Sequence, residues 1–322
     1  MASKSEYLPS GVIPAVLLPF HEDLSIDEAS YRAHLRDVAA VRGLSAITVN
    51  AHASEVASCT FDEQRRVLDI SRDELGTLPI IHGAYADGSL EAVRIARMAT
   101  AGGASALLVF PPNIYYFGQR PEMAVEHFKR IADASDLPLI AFQYPVASGY
   151  GYPLSTLERI VDEVPSVRAI KDWCANPQLH ERHIRVLQSR SRPVNVLTTH
   201  SSWLLSSLVL GCAGLLSGSG SVIADLQAQL YRAVRAGDLE EAKRVDERIT
   251  PTAEVFYAEP WVDMHNRMKE ALVLLGKLPR AVVRPPLVKL PAGEIERIRA
   301  ALISAGLLQP TTSQRRHASW AT

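Results

Sequence analysis

Val167-Arg-Ala-Ile-Lys-Asp-Trp173 is a short apolar stretch with a single amine, that of Lys171, near its carboxyl end. A stretch of this length and composition is typical of a strand buried in a parallel sheet. Lysine is among the residues least often buried, and burial lowers the pKa of its amine. Lys171 is therefore a candidate nucleophile toward a keto group. The structural alternative is that it reaches solvent or pairs with the adjacent Asp172.

Seven similar stretches accompany this one, and amphipathic helical segments lie between them. The predicted strands are residues 12–20, 44–50, 78–84, 105–111, 138–144, 167–173, 193–199 and 213–219. The predicted helices are residues 26–42, 61–75, 88–102, 121–135, 154–164, 177–190, 201–210 and 224–237. Eight strand–helix units predict an α/β fold of the (β/α)8 TIM-barrel class, which needs about 250 residues.

The residues outside these units define the ends of the chain. An N-terminal arm, residues 1–11, precedes the barrel of residues 12–238. Amphipathic helices at 239–258, 261–277 and 292–306 predict a C-terminal helical domain, residues 239–308. The tail, residues 309–322, is polar and lacks periodicity, which predicts disorder.

Two local signals support the boundaries within the barrel. Residues Thr60 to Glu63 have the form of a capping box, in which both side chains satisfy backbone donors at the start of a helix. Gly102-Gly103 is typical of a left-handed helix end. The segment between the second strand and Thr60 is therefore predicted to be a loop.

The composition excludes several classes of function. The 322 residues carry a net charge of −1 without long blocks of one sign, so nothing favours nucleic acid or a membrane surface as partner. The sequence contains no apolar leader and no apolar stretch long enough to span a bilayer. Its three cysteines are widely spaced and form neither a disulfide framework nor a CxxC pair. We expect a cytoplasmic protein that binds a small molecule.

Active sites of such barrels form at the carboxyl ends of the strands, so polar residues there are the candidates. Tyr144 ends the fifth predicted strand and Lys171 lies near the end of the sixth, so their polar tips can meet over one cavity. A phenol beside an amine can relay the protons that imine formation requires. The structural alternative for Tyr144 is a turn before Pro145. The other candidates are Asn50, His52, Ser54, Glu55, His82, Asn113, Tyr115, Tyr116, Asp172, Thr198, Thr199, His200, Ser217, Ser219 and Ser221.

A metal site is the rival interpretation of the histidines. His52, His82 and His200 are spread over three strands without a nearby carboxylate pair, and a catalytic metal needs three or more converging ligands. We therefore expect no metal and no other cofactor, with His82 as a hydrogen-bonded structural residue. Gly218-Ser219-Gly220-Ser221 could offer amides to a phosphate. A close turn lining the pocket is the preferred interpretation, because no basic residue adjoins it.

These residues, in this order, resemble the dihydrodipicolinate synthase and N-acetylneuraminate lyase family of class I aldolases, over residues 12–310. Phe142-Gln-Tyr-Pro145 is similar to the family's Tyr-x-x-Pro region, and Ala169-Ile-Lys171 is similar to its Gly-x-Lys. Gly211 to Ser217 matches its Gly-x-x-Gly-x-x-Ser, and Tyr115-Tyr116 resembles its tyrosine pair. The resemblance implies that Lys171 forms a Schiff base, that Tyr144 relays protons, and that the assembly is a homotetramer built as a dimer of dimers.

Three departures from the family pattern bear on the substrate. Ala51-His-Ala-Ser-Glu55 stands where the family has Gly-Thr-Thr-Gly-Glu, so both hydroxyls are gone, and His52 could bind a carboxylate or move a proton in their place. No arginine follows Pro145, where the lysine-synthesis enzyme holds its aldehyde substrate, so condensation with aspartate semialdehyde is disfavoured. Thr199-His-Ser201 replaces the Gly-x-Asp-Glu of neuraminate lyases, which disfavours sialic acid.

The sequence therefore predicts a lyase that acts on a 2-keto acid of the pyruvate type through an imine on Lys171. A 2-keto-3-deoxy sugar acid dehydratase or a hydratase-aldolase would use the same imine. The aromatic entrance of Tyr115, Tyr116, Tyr150 and Tyr152 would suit an aromatic aldehyde. From another class, an inactive keto-acid-binding protein or structural oligomer remains open. The predicted substrate contacts are His52, Ala53, Tyr116, Thr199, His200 and Ser219.

Overall fold

The computed structural model describes residues 7–310, and its central feature is a barrel of eight parallel strands. The strands are β1 (Gly11–Pro14), β2 (Ile47–Val49), β3 (Ile80–Ala84), β4 (Ala106–Val109), β5 (Leu139–Gln143), β6 (Val167–Asp172), β7 (Asn195–Thr198) and β8 (Gly214–Ser217). Each pairs with its neighbours in the order β1-β8-β7-β6-β5-β4-β3-β2. Parallel bridges from Val12 to Leu44 and from Ala15 to Thr48 join β1 to the β2 side. The predicted barrel is confirmed.

Helices surround the barrel and continue beyond it. The barrel helices are α1 (Glu28–Ala39), α2 (Phe61–Leu75), α3 (Ser89–Ala101), α4 (Pro121–Asp133), α5 (Leu154–Glu163), α6 (Pro177–Gln188), α7 (Leu204–Val209) and α8 (Gly220–Arg235). Three more follow, α9 (Leu239–Phe256), α10 (Met264–Leu274) and α11 (Ala292–Ser304). Among residues 7–310, no helix has the length and apolar character that crossing a membrane requires. The division of the chain into domains stays a prediction.

The capping box at Thr60 and the glycine at the end of α3 are both present, as expected. The Thr60 side chain accepts a hydrogen bond from the Glu63 amide, and the Glu63 carboxylate accepts one from the Thr60 amide. Gly103 has a φ of +80° directly after α3, a backbone conformation that favours glycine. The strands are buried on both faces, which explains why their sequences are continuous apolar runs and do not alternate between apolar and polar residues.

Several predicted boundaries are wrong. The first strand ends at Pro14 rather than at residue 20, although Ala15 to Phe20 stay buried and the amides of Ala15 and Val16 still donate to Ser217 and Thr48. The second strand ends at Val49, because Asn50 has a φ of +51°. Gly11, placed in the N-terminal arm, belongs to β1. The tail beyond residue 310 lies outside the described residues.

Corrections to the helices follow the same pattern. The first helix begins only after Asp27, whose side chain accepts from the Ser30 amide, and it ends at Ala39 rather than at 42. The segments 201–210 and 261–277 each begin with a turn of 3₁₀-helix, Ser201–Trp203 and Trp261–Asp263. Helix α8 begins at Gly220 rather than at residue 224. Gly220 and Ser221 therefore begin the helix, whereas Gly218 precedes it and lines the cavity, as the preferred interpretation of this run expects.

Candidate active site

A cavity of about 750 Å³ opens at the carboxyl ends of the strands, where the fold predicts an active site. Lys171 lies in its wall, one residue before the end of β6, with a side chain that is 6% exposed. Its Nζ lies 4.1 Å from the centroid of the Phe142 ring. Burial lowers the pKa of the amine to about 7. Near neutral pH, a large fraction of this amine is unprotonated and nucleophilic.

Asp172, the neighbour in sequence, does not pair with this amine. Its side chain lies on the opposite face of β6, as expected of successive strand residues, and its Oδ2 accepts hydrogen bonds from His180 and His183 on α6. The structural alternative, in which Lys171 pairs with Asp172, is therefore wrong.

Tyr144 follows β5 directly and also lines the cavity. Its ring centroid lies 4.4 Å from that of Phe142 and 5.6 Å from that of Trp173. Burial, with smaller contributions from Tyr85 and Tyr150, raises the pKa of the phenol well above its ordinary value. The phenol therefore keeps its proton at neutral pH, as a general acid must.

His52 completes the polar set, because its Nε2 and the Tyr144 hydroxyl share a hydrogen bond. The imidazole lies on a short 3₁₀ turn after β2 and contacts the Phe110 ring edge-on at 4.8 Å. Burial and the nearby Lys171 amine lower its pKa to about 3. The imidazole is thus neutral and can accept or donate one proton through its two nitrogens. Amine, phenol and neutral imidazole together form a set of groups suited to imine chemistry.

A buried ion pair holds the turn that carries His52. The Glu55 carboxylate accepts hydrogen bonds from Nζ of Lys269, on α10, and from the backbone amide of Arg284. Lys269 also donates to the carbonyl of Val282. Glu55 itself has a left-handed φ of +51°. These bonds connect the loop after β2 to the C-terminal helices, so the position of His52 depends on both parts of the fold.

The C-terminal segment supplies cavity residues that the sequence analysis missed. His265 lies on α10, and burial, with smaller contributions from His52, Lys171 and Lys269, lowers its pKa well below the ordinary value. A Cβ on Gly218 would lie 3.1 Å from its Nε2, so the glycine leaves room for the ring. Aromatic and apolar side chains complete this wall: Tyr257, Trp261, Val262, Met264, Pro285, Pro286 and Leu287. The missed signal is an aromatic- and proline-rich segment beyond the strand ends.

Arg284 also borders the cavity, but its guanidinium is engaged elsewhere. It binds the Glu63 carboxylate and the carbonyls of Leu24 and Ser58. The charge is therefore already matched by Glu63. A substrate carboxylate would not find a free guanidinium here.

The predicted site residues divide into two groups. Lys171, Tyr144, His52, Ala53 and Thr199 line the cavity together. The other three predicted contacts, Tyr116, His200 and Ser219, do not line it. Their surroundings explain why.

Tyr116 is 65% exposed beside Phe117. The His200 ring lies edge-on to Trp203 at 4.2 Å. The Ser219 hydroxyl is bonded to Ser217 and Gln227.

Two further expectations have clear outcomes. His82 is hydrogen-bonded to the Asn50 side chain at 2.8 Å, as expected of a structural residue. The aromatic entrance is only partly as predicted, because Tyr150 lines the cavity whereas Tyr115 and Tyr152 are buried in the core. Both belong to the main hydrophobic cluster.

The comparisons with known proteins identify the family and support the fold. Residues 8–305 match the model of the Dihydrodipicolinate synthetase family. The chain therefore belongs to this family, and the enzyme class expected from the sequence, a lyase of the family, is confirmed. It is 29% identical to the 4-hydroxy-tetrahydrodipicolinate synthase of Maridesulfovibrio salexigens, covering 92% of this chain and 99% of the relative.

Solved structures share the fold. A dihydrodipicolinate synthase from Thermotoga maritima superposes with a TM-score of 0.86 at 23% identity, covering 94% of this chain and all of that one. A prophage protein of the same family from E. coli K12, in complex with pyruvate, gives 0.86 at 22% identity, again over 94% and 100% of the two chains. At these identities the likeness concerns the fold.

Proposed function

We propose that this chain is a lyase that acts on a 2-keto acid of the pyruvate type through a Schiff base on Lys171, with Tyr144 as proton relay. The observation that carries the proposal is the buried Lys171 amine, whose pKa is about 7 and whose Nζ lies inside the cavity against Phe142. The unprotonated amine attacks a keto carbon. The family match is consistent with this proposal, and one fold neighbour is in complex with pyruvate.

In this proposal the Lys171 nitrogen adds to C2 of the keto acid, and the carbinolamine then loses its hydroxyl as water. Tyr144 transfers one proton from the attacking nitrogen to the carbinolamine oxygen and then gives a second proton, replaced from solvent, to the departing hydroxyl, while His52 holds the phenol through their shared hydrogen bond. The resulting iminium withdraws electrons from C3. A bond at C3 or C4 can then break, with enamine formation, or a hydroxyl can leave.

The cavity favours a substrate with an apolar or aromatic half. Trp173, Tyr150, Tyr257 and Trp261 form much of its wall, and the Arg284 guanidinium is bound to Glu63. A hydratase-aldolase acting on aromatic adducts of pyruvate is therefore the second candidate function. The dehydratase alternative uses the same imine, and it requires the polar tips of these side chains, rather than their rings, to face the sugar hydroxyls.

Borohydride reduction in the presence of pyruvate tests the imine directly. We expect a mass increase on the peptide that contains Lys171, and no increase in Lys171→Ala. Lys289→Met is the control, because Lys289 is exposed and does not line the cavity; it should be trapped like the wild type. A wild-type chain that folds and shows no trapping would favour the inactive keto-acid-binding protein or structural oligomer.

A screen of products then separates the candidate lyases. Pyruvate release from aromatic pyruvate adducts and from 2-keto-3-deoxy acids is followed in parallel with dehydration. Faster release from the aromatic adducts would support the hydratase-aldolase. Faster dehydration of the sugar acids would support the dehydratase.

The assembly and the location stay predictions. A homotetramer is expected to have about four times the chain mass of 35.3 kDa in light scattering. Cys59, Cys174 and Cys212 are all free thiols, which fits the reducing cytoplasm that the sequence predicts.

A further inference from the structure

A second polar cluster lies on the outer face of β6, opposite the cavity. It consists of Asp172 at the end of β6, Cys174 in the following loop, His180 on α6, and His200 after β7. All four side chains are buried, and one ligand atom from each lies within 4.8 Å of the others. Carboxylate, thiol and imidazole are the side chains that bind zinc in proteins.

Several buried polar atoms in and beside this cluster have no hydrogen-bond partner. They are Nε2 of His180, Nε2 of His183, Nε2 of His200 and Nε1 of Trp203. Such atoms are rare in folded proteins and indicate a bound ion or water that the protein atoms do not account for. The lone pair of the His200 ring is the one that an ion in the cluster would engage, whereas the Trp203 N–H is a donor and requires an acceptor.

The hydrogen bonds within the cluster place a carboxylate and an imidazole side by side. Nδ1 of His180 and Nδ1 of His183 lie 2.9 and 2.7 Å from Oδ2 of Asp172. Nδ1 is therefore the atom of the His180 ring that can share an ion with Asp172, once the hydrogen bond between them is released. The bond from His183 can remain and orient the ligating carboxylate.

We propose that Asp172, Cys174, His180 and His200 bind one divalent zinc ion. A carboxylate and a thiolate balance the charge of the ion, which matters at a buried position. Four protein ligands complete a tetrahedral shell and leave no open position, so the ion is structural rather than catalytic.

Binding requires a modest contraction of the cluster. Ligand atoms at usual bond lengths of about 2.0 to 2.3 Å lie about 3.5 Å apart in a tetrahedron, compared with separations of up to 4.8 Å here. The Cys174 thiol now contacts the carbonyl of Asn176 at 3.3 Å. Rotation of this side chain toward His200 and release of its proton would bring the thiolate to the ion.

Metal analysis of the full chain, purified without chelators or an affinity metal, tests the proposal. We expect about one zinc ion per chain, and loss of most of it in Cys174→Ser and His200→Gln. Cys212→Ser is the matched control, because Cys212 is also a buried free thiol but lies outside the cluster. It should keep the zinc.

Cobalt added to chelator-treated protein gives a second measurement. We expect thiolate-to-cobalt charge-transfer absorption in the wild type and in Cys212→Ser, and its absence in Cys174→Ser. Zinc should also raise the melting temperature of the chelated wild type. If the wild type binds neither metal and its melting temperature does not respond, the cluster holds water and the proposal is overturned. Equal metal contents in Cys174→Ser and wild type would overturn it as well.

Discussion

Replacing Lys171 by Met should stabilise the fold, because the native lysine is held where its charged form is disfavoured. Burial lowers the pKa of its amine from 10.5 to about 7. At pH 7 the unfolded chain carries the proton whereas the folded chain is about half protonated. Linkage converts this difference into about 4 kcal/mol of lost stability. Methionine has a similar length, can still contact the Phe142 ring, and carries no charge.

The pH dependence gives the sharper test. A lowered folded-state pKa means that the unfolded state binds more protons between about pH 7 and 10.5, so wild-type stability rises with pH in this window. The advantage of Lys171→Met should therefore fall from about 4 kcal/mol at pH 7 to about 2 kcal/mol at pH 9. His52, His265 and Tyr144 do not titrate in this range, since both imidazoles are already neutral and the phenol keeps its proton.

Equilibrium urea unfolding at pH 7 and pH 9, at one protein concentration, measures both values. Lys289→Met is the control, because Lys289 is exposed and such a change alters stability by about 0.5 kcal/mol or less. An advantage of Lys171→Met that is the same at both pH values would refute the reasoning. A Lys171→Met chain less stable than wild type at pH 7 would do so too.

Three further predictions concern the same site. Tyr144→Phe should lower kcat for pyruvate release about 10²- to 10⁴-fold. Tyr152→Phe should leave kcat unchanged, because the Tyr152 hydroxyl is buried in the core without a partner. Equal losses of kcat for the two variants in steady-state assays would contradict the role of Tyr144 as proton relay. Glu55→Gln leaves the Lys269 ammonium buried without its carboxylate, and urea unfolding should show a loss of about 3 to 5 kcal/mol. Most of that loss should be recovered by adding Lys269→Met, and a double variant as unstable as the single one would contradict the pairing. The rate of borohydride trapping should rise about tenfold per pH unit below pH 7 and level off above it, because only the neutral amine of Lys171 reacts. A rise that continues to pH 10 would show that the pKa of Lys171 is that of an ordinary lysine.

The fold could be predicted because its signal is distributed along the whole chain. Eight apolar runs separated by helical segments specify a barrel even where single boundaries are wrong. Lys171 and Tyr144 could be predicted as site residues for the same reason, since the fold fixes which end of each strand carries the site. The error at residues 15–20 arises because these residues are buried without belonging to the strand, and the error at Asn50 comes from its positive φ. Hydrophobic periodicity detects neither.

The remaining site residues could not be found from strand ends alone. His265 and Trp261 reach the cavity from the C-terminal helices, and their approach depends on tertiary contacts such as the space left by Gly218. His200 was assigned to the substrate because it follows a strand. Its ring instead faces Trp203 and His180. Sequence position gives the end of the barrel but not the face of the strand.

The two faces of β6 explain why the Lys171 amine and the Asp172 carboxylate, adjacent in sequence, have pKa values set by different surroundings. Lys171 faces the cavity, where burial lowers the pKa of the amine. Burial would also raise the pKa of the Asp172 carboxyl, but hydrogen bonds from His180 and His183 outweigh it and hold that pKa well below its usual range. A carboxylate on the cavity side would favour the ammonium form and remove the nucleophile. The alternation of side chains along one strand therefore preserves the neutral amine on which the proposed chemistry depends.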